Sequence, residues 1–203
     1  MKNFLTASFC LSQISLFGLL GGVVATSITA ARAAEPGIPV SAPAQEAVAR
    51  RVPLGLGELA PDFTLSSGEG ESITLSSFRE KKNVVLYFYP KDGTPGCTKE
   101  AQDFSDDFER FKKAGAVVLG VSVDDVTSHK FFAKKLSLNF PILADVGGKV
   151  SRQYGVMGWI MAKRVTYVIG KDGMIHMVYP DVDVTGHSKA VLKAVQDLSH
   201  KRS

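Results

Sequence analysis

The sequence predicts an α/β fold built on a mixed central sheet. Two continuous apolar runs, residues 84–89 and 116–123, are typical of strands buried on both faces, and each precedes a segment with apolar residues at helical spacing. Strands that alternate with helices favour parallel pairing. Two more apolar runs flank residues 170–173, GKDG, which is the pattern of an antiparallel hairpin. The sheet should therefore contain both parallel and antiparallel pairs.

Length and charge limit the class of protein. The chain has 203 residues, enough for one domain with an extension, and its 45% hydrophobic content suits a globular core. The formal net charge is +4, but residues 1–33 hold two basic and no acidic side chains, so the remainder carries only +2. The sequence has no basic cluster with interleaved aromatic residues. We therefore expect no nucleic-acid partner.

Residues 1–33 have the features of a signal peptide. Lys2 precedes an apolar stretch, residues 14–25, and small residues flank Arg32, so we expect cleavage after Ala33. This predicts export to a periplasm or an organellar lumen. The alternative is an uncleaved membrane anchor, although the apolar stretch is shorter than the roughly 20 residues of a bilayer span.

The remaining chain divides into a linker and one domain. Residues 34–53 contain several Pro and Ala residues and are predicted to form a flexible linker, so the domain covers residues 54–203. The domain opens with two short apolar segments, residues 59–65 and 72–75, around a turn. We expect this N-terminal β-hairpin extension to cover the sheet without taking part in chemistry.

The most informative stretch joins the first buried strand to a helix. Pro90 follows the strand and ends it, because proline has no N–H for the ladder. Gly93 and the Pro95-Gly96 pair then predict a tight turn. The residues that follow recur at helical spacing, like the core-facing stripe of a helix: Cys97, Ala101, Phe104, Phe108 and Phe111.

Cys97 is thus predicted in the first turn of a helix, at the end of a buried strand. The unpaired N–H groups and partial positive charge of a helix N-terminus favour a thiolate over a thiol. Thr94 places a hydroxyl within one turn of the sulfur, where it could donate to an incoming oxygen or accept from the backbone. The pattern predicts a reactive thiol. The alternative is a buried cysteine that packs as a small hydrophobic residue.

The later elements follow from the same signals. They are, in order, a strand at residues 116–123, a helix ending at 136, a strand at 140–145, a helical turn at 148–154, hairpin strands at 164–169 and 174–179, and a helix at 189–198. Thr127 or Ser128 should cap the first of these helices, and Thr185 or Ser188 the last.

A motif around the cysteine connects the chain to a known family. Pro90, Thr94 and Cys97 form the pattern P-x-x-x-T-x-x-C, and the longer string YPKDGTPGCTKEAQDF resembles the Q-type peroxiredoxins, also called bacterioferritin comigratory proteins. The resemblance extends over about residues 57–195. It implies a thioredoxin-like (peroxiredoxin) fold, which matches the predicted order of elements. It also implies a thiol peroxidase that reduces hydrogen peroxide and organic hydroperoxides.

The resemblance implies roles for individual side chains. Cys97 would be the peroxidatic cysteine, Thr94 and Arg164 would bind the two peroxide oxygens, and Pro90 would shield the sulfur. Arg164 opens its strand in an R-x-T-[FY] pattern that matches the peroxiredoxin arginine. Without the resemblance, an arginine at the start of a strand would suggest a surface residue. Glu100 could hold Arg164 by a charge-assisted bond, or could be a solvated carboxylate.

One position departs from the family pattern. Many Q-type members carry a resolving cysteine at the last position of C-x-x-x-x-C, where this chain has Gln102. The second cysteine, Cys10, lies in the segment predicted to be removed. We therefore expect a one-cysteine mechanism, in which an external thiol reductant (thioredoxin, glutaredoxin or glutathione) returns Cys97 to the thiol. The protein is expected to be a monomer or a homodimer.

No cofactor or metal site is predicted. The four histidines lack metal-ligand spacing, and the sequence has neither a C-x-x-C pair nor a Gly-rich phosphate loop. We interpret the histidines as surface or structural residues: His129, His176, His187 and His200. Trp159 could line the active-site mouth, form a subunit contact or pack in the core.

Two other functions remain open from the sequence. A thiol–disulfide oxidoreductase normally uses C-x-x-C, but residues 98–100 offer no second sulfur. An exported redox sensor or holdase without significant turnover would keep a reactive thiol. A peroxide-consumption assay separates that protein from a peroxidase, because a sensor need not turn over.

Overall fold

The computed structural model describes residues 52–200, so the predicted signal peptide and nearly all of the predicted linker lie outside the described residues. The strands of the described part are β1 (Thr64–Ser67), β2 (Ser72–Thr74), β3 (Asn83–Phe88), β4 (Ala116–Ser122), β5 (Ile142–Ala144), β6 (Val165–Ile169) and β7 (Ile175–Tyr179). Its helices are α1 (Pro95–Asp106), α2 (Phe108–Lys113), α3 (Val126–Leu136), α4 (Lys149–Gln153) and α5 (His187–His200), with a 3₁₀ helix at Leu75–Phe78. Within residues 52–200, no helix is long and apolar enough to cross a membrane.

The strands form one mixed sheet in the order β2-β1-β5-β4-β3-β6-β7. β3 pairs in parallel with β4, and β4 in parallel with β5, whereas β6 lies antiparallel to both β3 and β7. Every residue of β3 is buried, because core residues cover both faces of this central strand, and its continuous apolar run follows from that position. The predicted mixed sheet and C-terminal hairpin are confirmed.

Alternate residues of β3 point into two core layers, because successive side chains of a strand face opposite sides of the sheet. Leu86 and Phe88 pack in one layer with Tyr154. Tyr87 packs in the other layer, which also contains Cys97 and side chains of α1, α2 and α5. The reactive cysteine predicted from the sequence is therefore part of a packed layer between the sheet and these helices.

The N-terminal hairpin does not cover the sheet as predicted. β1 pairs antiparallel with β2 and also with β5, where Ser66 lies opposite Ala144 and Ser67 opposite Leu143. The hairpin therefore extends the sheet beyond β5. This pairing satisfies backbone N–H and C=O groups that β5 would otherwise present at an open edge.

The single helix predicted after Cys97 is two helices, with a break at Asp107. This residue has ψ of 1°, and its buried carboxylate accepts hydrogen bonds from Ser188 Oγ at 2.8 Å and Arg110 Nη1 at 2.7 Å. The bond to Ser188 ties the break to α5. Both helices keep the predicted apolar stripe in the core, since Phe104 and Phe111 are fully buried.

The predicted helix caps are wrong. α3 begins one residue before Thr127, and Asp125 caps it by accepting from the Ser128 backbone N–H at 2.8 Å. An N-cap side chain must precede the first helical residue, so a residue inside the first turn cannot act as one. α5 already begins at residue 187, so Ser188 lies inside the helix and Thr185 lies two positions before it.

Candidate active site

The loop between β3 and α1 places Cys97 at the end of the sheet. Tyr89 still donates its N–H to a carbonyl of β4 at 3.0 Å, but Pro90 has no N–H and the ladder stops there. Gly93 takes φ +73°, which residues with a side chain rarely adopt. Thr94 is extended at the N-cap position of α1. The strand, turn and helix predicted around Cys97 are confirmed.

Cys97 lies in the first turn of α1 beside an arginine. The residue is only 1% exposed, and the Arg164 Nη2 atom is 3.2 Å from its Sγ. Gly96 leaves room for this contact, because a Cβ there would lie 3.3 Å from the same Nη2 atom. The sulfur thus lies beside a cation and close to the partial positive charge of a helix N-terminus.

Sheet pairing explains how Arg164 reaches a sulfur 67 residues away in the chain. β6 runs antiparallel to β3, with Val165 opposite Phe88. The residue just before β6 therefore lies at the same edge of the sheet as the loop that follows β3. The resemblance predicted this proximity, and the sheet register supplies its physical cause.

Glu100 binds the other terminal nitrogen of the Arg164 guanidinium. Glu100 is 1% exposed, and its Oε2 accepts a hydrogen bond from Arg164 Nη1. Among the described residues, its Oε1 is one of the buried side-chain atoms without a hydrogen-bond partner. Burial raises the pKa of Glu100 to about 7, even though the charge of Arg164 acts in the other direction. The solvated-carboxylate alternative is therefore wrong, because Glu100 is buried in an ion pair.

Arg164 remains a cation between its two partners. Burial lowers the pKa of Arg164, but the charge of Glu100 and the hydrogen bond to Cys97 outweigh burial and raise it above its ordinary value. Its side chain is 18% exposed, so it is a partly buried residue rather than a free surface arginine. Cys97, Arg164 and Glu100 thus form one connected cluster.

The other predicted site residues lie in the same loop or on the same helix. The Thr94 hydroxyl donates to the Lys91 carbonyl at 3.2 Å, so its hydrogen is engaged within the loop. Pro90 is half-buried at the start of this loop, and Gln102 is exposed on α1. A peroxide that accepted a bond from Thr94 would replace the Lys91 carbonyl as its partner.

Sequence reasoning missed a second set of polar residues behind the loop. The Asp92 carboxylate accepts hydrogen bonds from Tyr89, Ser128 and His129. The available signals were an aspartate inside the turn and a histidine three residues before the buried Phe132 on α3. Neither signal specifies a partner, because the two residues are 37 positions apart in the chain.

The histidines have structural or surface positions, as interpreted. His129 and His187 are buried, and His187 Nε2 is 2.9 Å from Thr166 Oγ1. Burial, and secondarily the charge of Arg164, lower the pKa of His187 to about 4. In residues 52–200, no group of three or more His, Cys, Asp or Glu side chains could hold a metal ion.

Trp159 is fully exposed, so the core-packing alternative is wrong. It lies in the segment between α4 and β6, five residues before Arg164. Its role at the active-site mouth or in a subunit contact stays a prediction.

Comparison with known proteins identifies the family. A model of the AhpC/TSA family matches residues 56–178, more than half of the chain. The chloroplastic peroxiredoxin Q of Triticum aestivum is 45% identical over 146 residues, which cover 70% of this chain and 67% of the relative. The chain is a peroxiredoxin of the AhpC/TSA family. As the resemblance predicted, this peroxiredoxin is a thiol peroxidase that acts on peroxide.

Two further comparisons agree with the Q-type assignment. A putative peroxiredoxin bcp of Coxiella burnetii is 45% identical to this peroxiredoxin over 145 residues, covering 68% of this chain and 95% of the relative. The bacterioferritin comigratory protein of Xanthomonas campestris, solved in a study of its alkyl peroxide reduction activity, superposes with a TM-score of 0.65. It is 34% identical, with coverage of 68% of this chain and 92% of the other. The thioredoxin-like peroxiredoxin fold is confirmed.

Proposed function

We propose that this peroxiredoxin reduces hydrogen peroxide and organic hydroperoxides with Cys97 as its peroxidatic cysteine and an external thiol as its reductant. The observation that carries the proposal is the Arg164 guanidinium, which is 3.2 Å from the Cys97 sulfur and is held by the buried Glu100. The alkyl peroxide reduction activity of the X. campestris relative supports the inclusion of organic hydroperoxides.

The chemistry begins with attack of the Cys97 thiolate on the terminal oxygen of the peroxide. The S–O bond forms while the O–O bond breaks, and the departing oxygen takes a proton to become water or an alcohol. Arg164 and Thr94 are N–H and O–H donors that can stabilise charge on the two oxygens as the bond breaks. Pro90, at the start of the loop, limits the access of water to the sulfur.

An external thiol completes the cycle. It attacks the sulfenic acid of Cys97, and a mixed disulfide and water are formed. A second thiol then releases the Cys97 thiol, and the two reductant sulfurs leave as a disulfide. Gln102 supports this one-cysteine mechanism, because the position five residues after Cys97 has no sulfur. Cys10 precedes the described residues, in the segment predicted to be removed.

A peroxide-consumption assay with glutathione, thioredoxin or glutaredoxin added in turn tests the proposal. Mass spectrometry after one equivalent of peroxide should detect sulfenic acid on Cys97 and then a mixed disulfide with the effective thiol. Stoichiometric oxidation without turnover with any of these thiols would instead support the redox sensor or holdase. A Cys97–Cys97 disulfide between two chains, formed during turnover while external thiol is withheld and without loss of rate, would contradict the one-cysteine mechanism.

We further propose that residues 1–33 are removed as a signal peptide, that residues 34–53 are a linker and that the domain covers residues 54–203. Leu54 supports this boundary, because it is buried and donates its N–H to Tyr154 O at 3.2 Å. The destination is a periplasm or an organellar lumen, and the chloroplastic name of the T. aestivum relative is consistent with an organelle. N-terminal sequencing should find Ala34 first, whereas an intact Met1 in a membrane fraction would support the anchor.

A further inference from the structure

A buried histidine and an aspartate of the catalytic loop face each other outside the cluster described above. His129, on α3, is fully buried, and the Asp92 side chain is 8% exposed. His129 Nδ1 is 2.9 Å from Asp92 Oδ2, and its Nε2 is 3.2 Å from the carbonyl oxygen of Leu143 on β5. One imidazole ring therefore connects the loop to the sheet.

The partners of the ring define where its protons are. A carbonyl oxygen only accepts, so His129 Nε2 must carry a hydrogen. Turning the ring over by 180° would place carbon atoms against both oxygens, so these contacts also determine its orientation. A neutral ring protonated at Nε2 would direct the Nδ1 lone pair at the Asp92 oxygen, which is repulsive. A second proton must therefore lie between Nδ1 and Oδ2.

The surroundings of Asp92 place that proton on the histidine. The Tyr89 hydroxyl donates to Oδ1 at 2.7 Å, and the Ser128 hydroxyl donates to Oδ2 at 2.7 Å. Burial raises the pKa of Asp92, but the hydrogen bonds from His129, Tyr89 and Ser128 together bring it below its ordinary value. The pair is therefore an imidazolium and a carboxylate without net charge.

We propose that Asp92 and His129 form a positioning pair for the catalytic loop, and that full reactivity of Cys97 requires the hydrogen bond between their side chains. This inference rests on the peroxidase function proposed above. The Asp92 N–H also donates to Asp124 Oδ2 at 2.9 Å, so the residue is anchored through both its side chain and its backbone. Thr94 follows two residues later and is the N-cap residue of α1. Movement of Asp92 would therefore displace Thr94 and the helical turn that carries Cys97.

The Asp92→Asn variant separates positioning from proton sharing. Its amide oxygen can accept from Tyr89, and its NH₂ group can donate to Nδ1 of a neutral His129 and to the Ser128 hydroxyl. The same contacts are then made without the shared proton. The His129→Ala variant removes the anchor instead. Asp172→Asn and His176→Ala are matched controls, since that pair has a similar distance of 3.0 Å but is about one-third exposed on the distant β6–β7 hairpin.

The experiment measures sulfenic acid formation with hydrogen peroxide at about pH 7, with ¹⁵N NMR of the histidine rings on the same proteins. We expect Asp92→Asn to match wild type, because it keeps the contacts of the pair. His129→Ala should be about tenfold to hundredfold slower, because small displacements of catalytic groups cost rates of this order. The NMR spectra should show both His129 nitrogens protonated in wild type and only Nε2 in Asp92→Asn.

Two results would overturn the inference without affecting the peroxidase proposal. One is a folded His129→Ala variant that forms sulfenic acid as fast as an active wild type. The other is a wild-type His129 with a single protonated nitrogen at neutral pH. A wild type without peroxide reduction would reject the proposed function itself, and the NMR result would still decide whether the pair shares a proton. If His129→Ala does not fold, the NMR comparison of wild type with Asp92→Asn is the deciding measurement.

Discussion

Replacement of Glu100 by Gln should change how the stability of the folded protein depends on pH. Glu100 is 1% exposed, and burial raises its pKa from the ordinary value of 4.5 to about 7. Between these two pH values the folded state still holds a proton that the unfolded chain has released, so stability falls as the pH rises. At about 1.4 kcal/mol for each pKa unit, the wild type should lose about 3 kcal/mol of unfolding free energy across this window.

The Glu100→Gln variant should lack this loss, because an amide has no proton to release in this pH range. The amide oxygen can still accept from Arg164, as a protonated Glu100 would. Urea denaturation at about pH 5 and about pH 8 should therefore show the variant gaining about 3 kcal/mol relative to wild type at the higher pH. Glu109→Gln is the control, because that carboxylate is 65% exposed and should not alter the pH dependence.

Ionisation of Glu100 lowers the stability of the folded protein, but it should increase the rate at which Cys97 reacts with peroxide. A charged carboxylate holds the Arg164 guanidinium more firmly than an amide does. Peroxide should therefore oxidise Cys97 about tenfold more slowly in Glu100→Gln than in wild type at pH 8, which corresponds to the loss of a charge-assisted bond. The reasoning would be refuted by a stability difference between variant and wild type that is the same at both pH values. Such a result would mean that Glu100 ionises similarly in the folded and unfolded states.

Three further predictions concern the reacting groups. Cys97→Ser should abolish peroxide consumption while circular dichroism shows an intact fold, because a serine hydroxyl is not ionised at neutral pH; turnover near that of wild type would reject the assignment. Thr94→Val and Arg164→Ala should each slow sulfenic acid formation by about 10² to 10³, the usual cost of a lost donor, in stopped-flow kinetics. Gln102→Cys should form an internal disulfide, detectable by mass spectrometry, only if the first turns of α1 unwind after oxidation, since five residues span more than one helical turn.

The local structure around the cysteine could be predicted from the sequence. Pro90 ends a strand through its own missing N–H, and Gly93 permits a positive φ, so neither effect depends on distant parts of the chain. The buried positions of β3 were likewise evident from its continuous apolar run. These signals were sufficient to place Cys97 in the first turn of a helix, and the motif around it was sufficient to indicate the family.

Helix ends and the edge of the sheet were predicted less well. Asp107 looks like an ordinary helical residue in the sequence, yet its carboxylate accepts a bond from Ser188 on α5 and the helix breaks there. The N-terminal hairpin has the same alternating pattern whether it covers a sheet or extends it. Only the open edge of β5 decides between these positions, because hydrogen-bond pairing across that edge is a tertiary interaction.

Short stretches of sequence were enough to place a cysteine at a strand–turn–helix junction, whereas the charges that surround it follow from the packing of distant elements. Arg164 meets Cys97 because β6 is antiparallel to β3, and Glu100 is buried because it lies against that arginine. His129 reaches Asp92 in the same way, through the packing of α3 against the sheet. Dihedral preferences act between neighbouring residues, so a short stretch of sequence contains them. Contacts between charges on separate elements depend on strand order and register, which no short stretch contains.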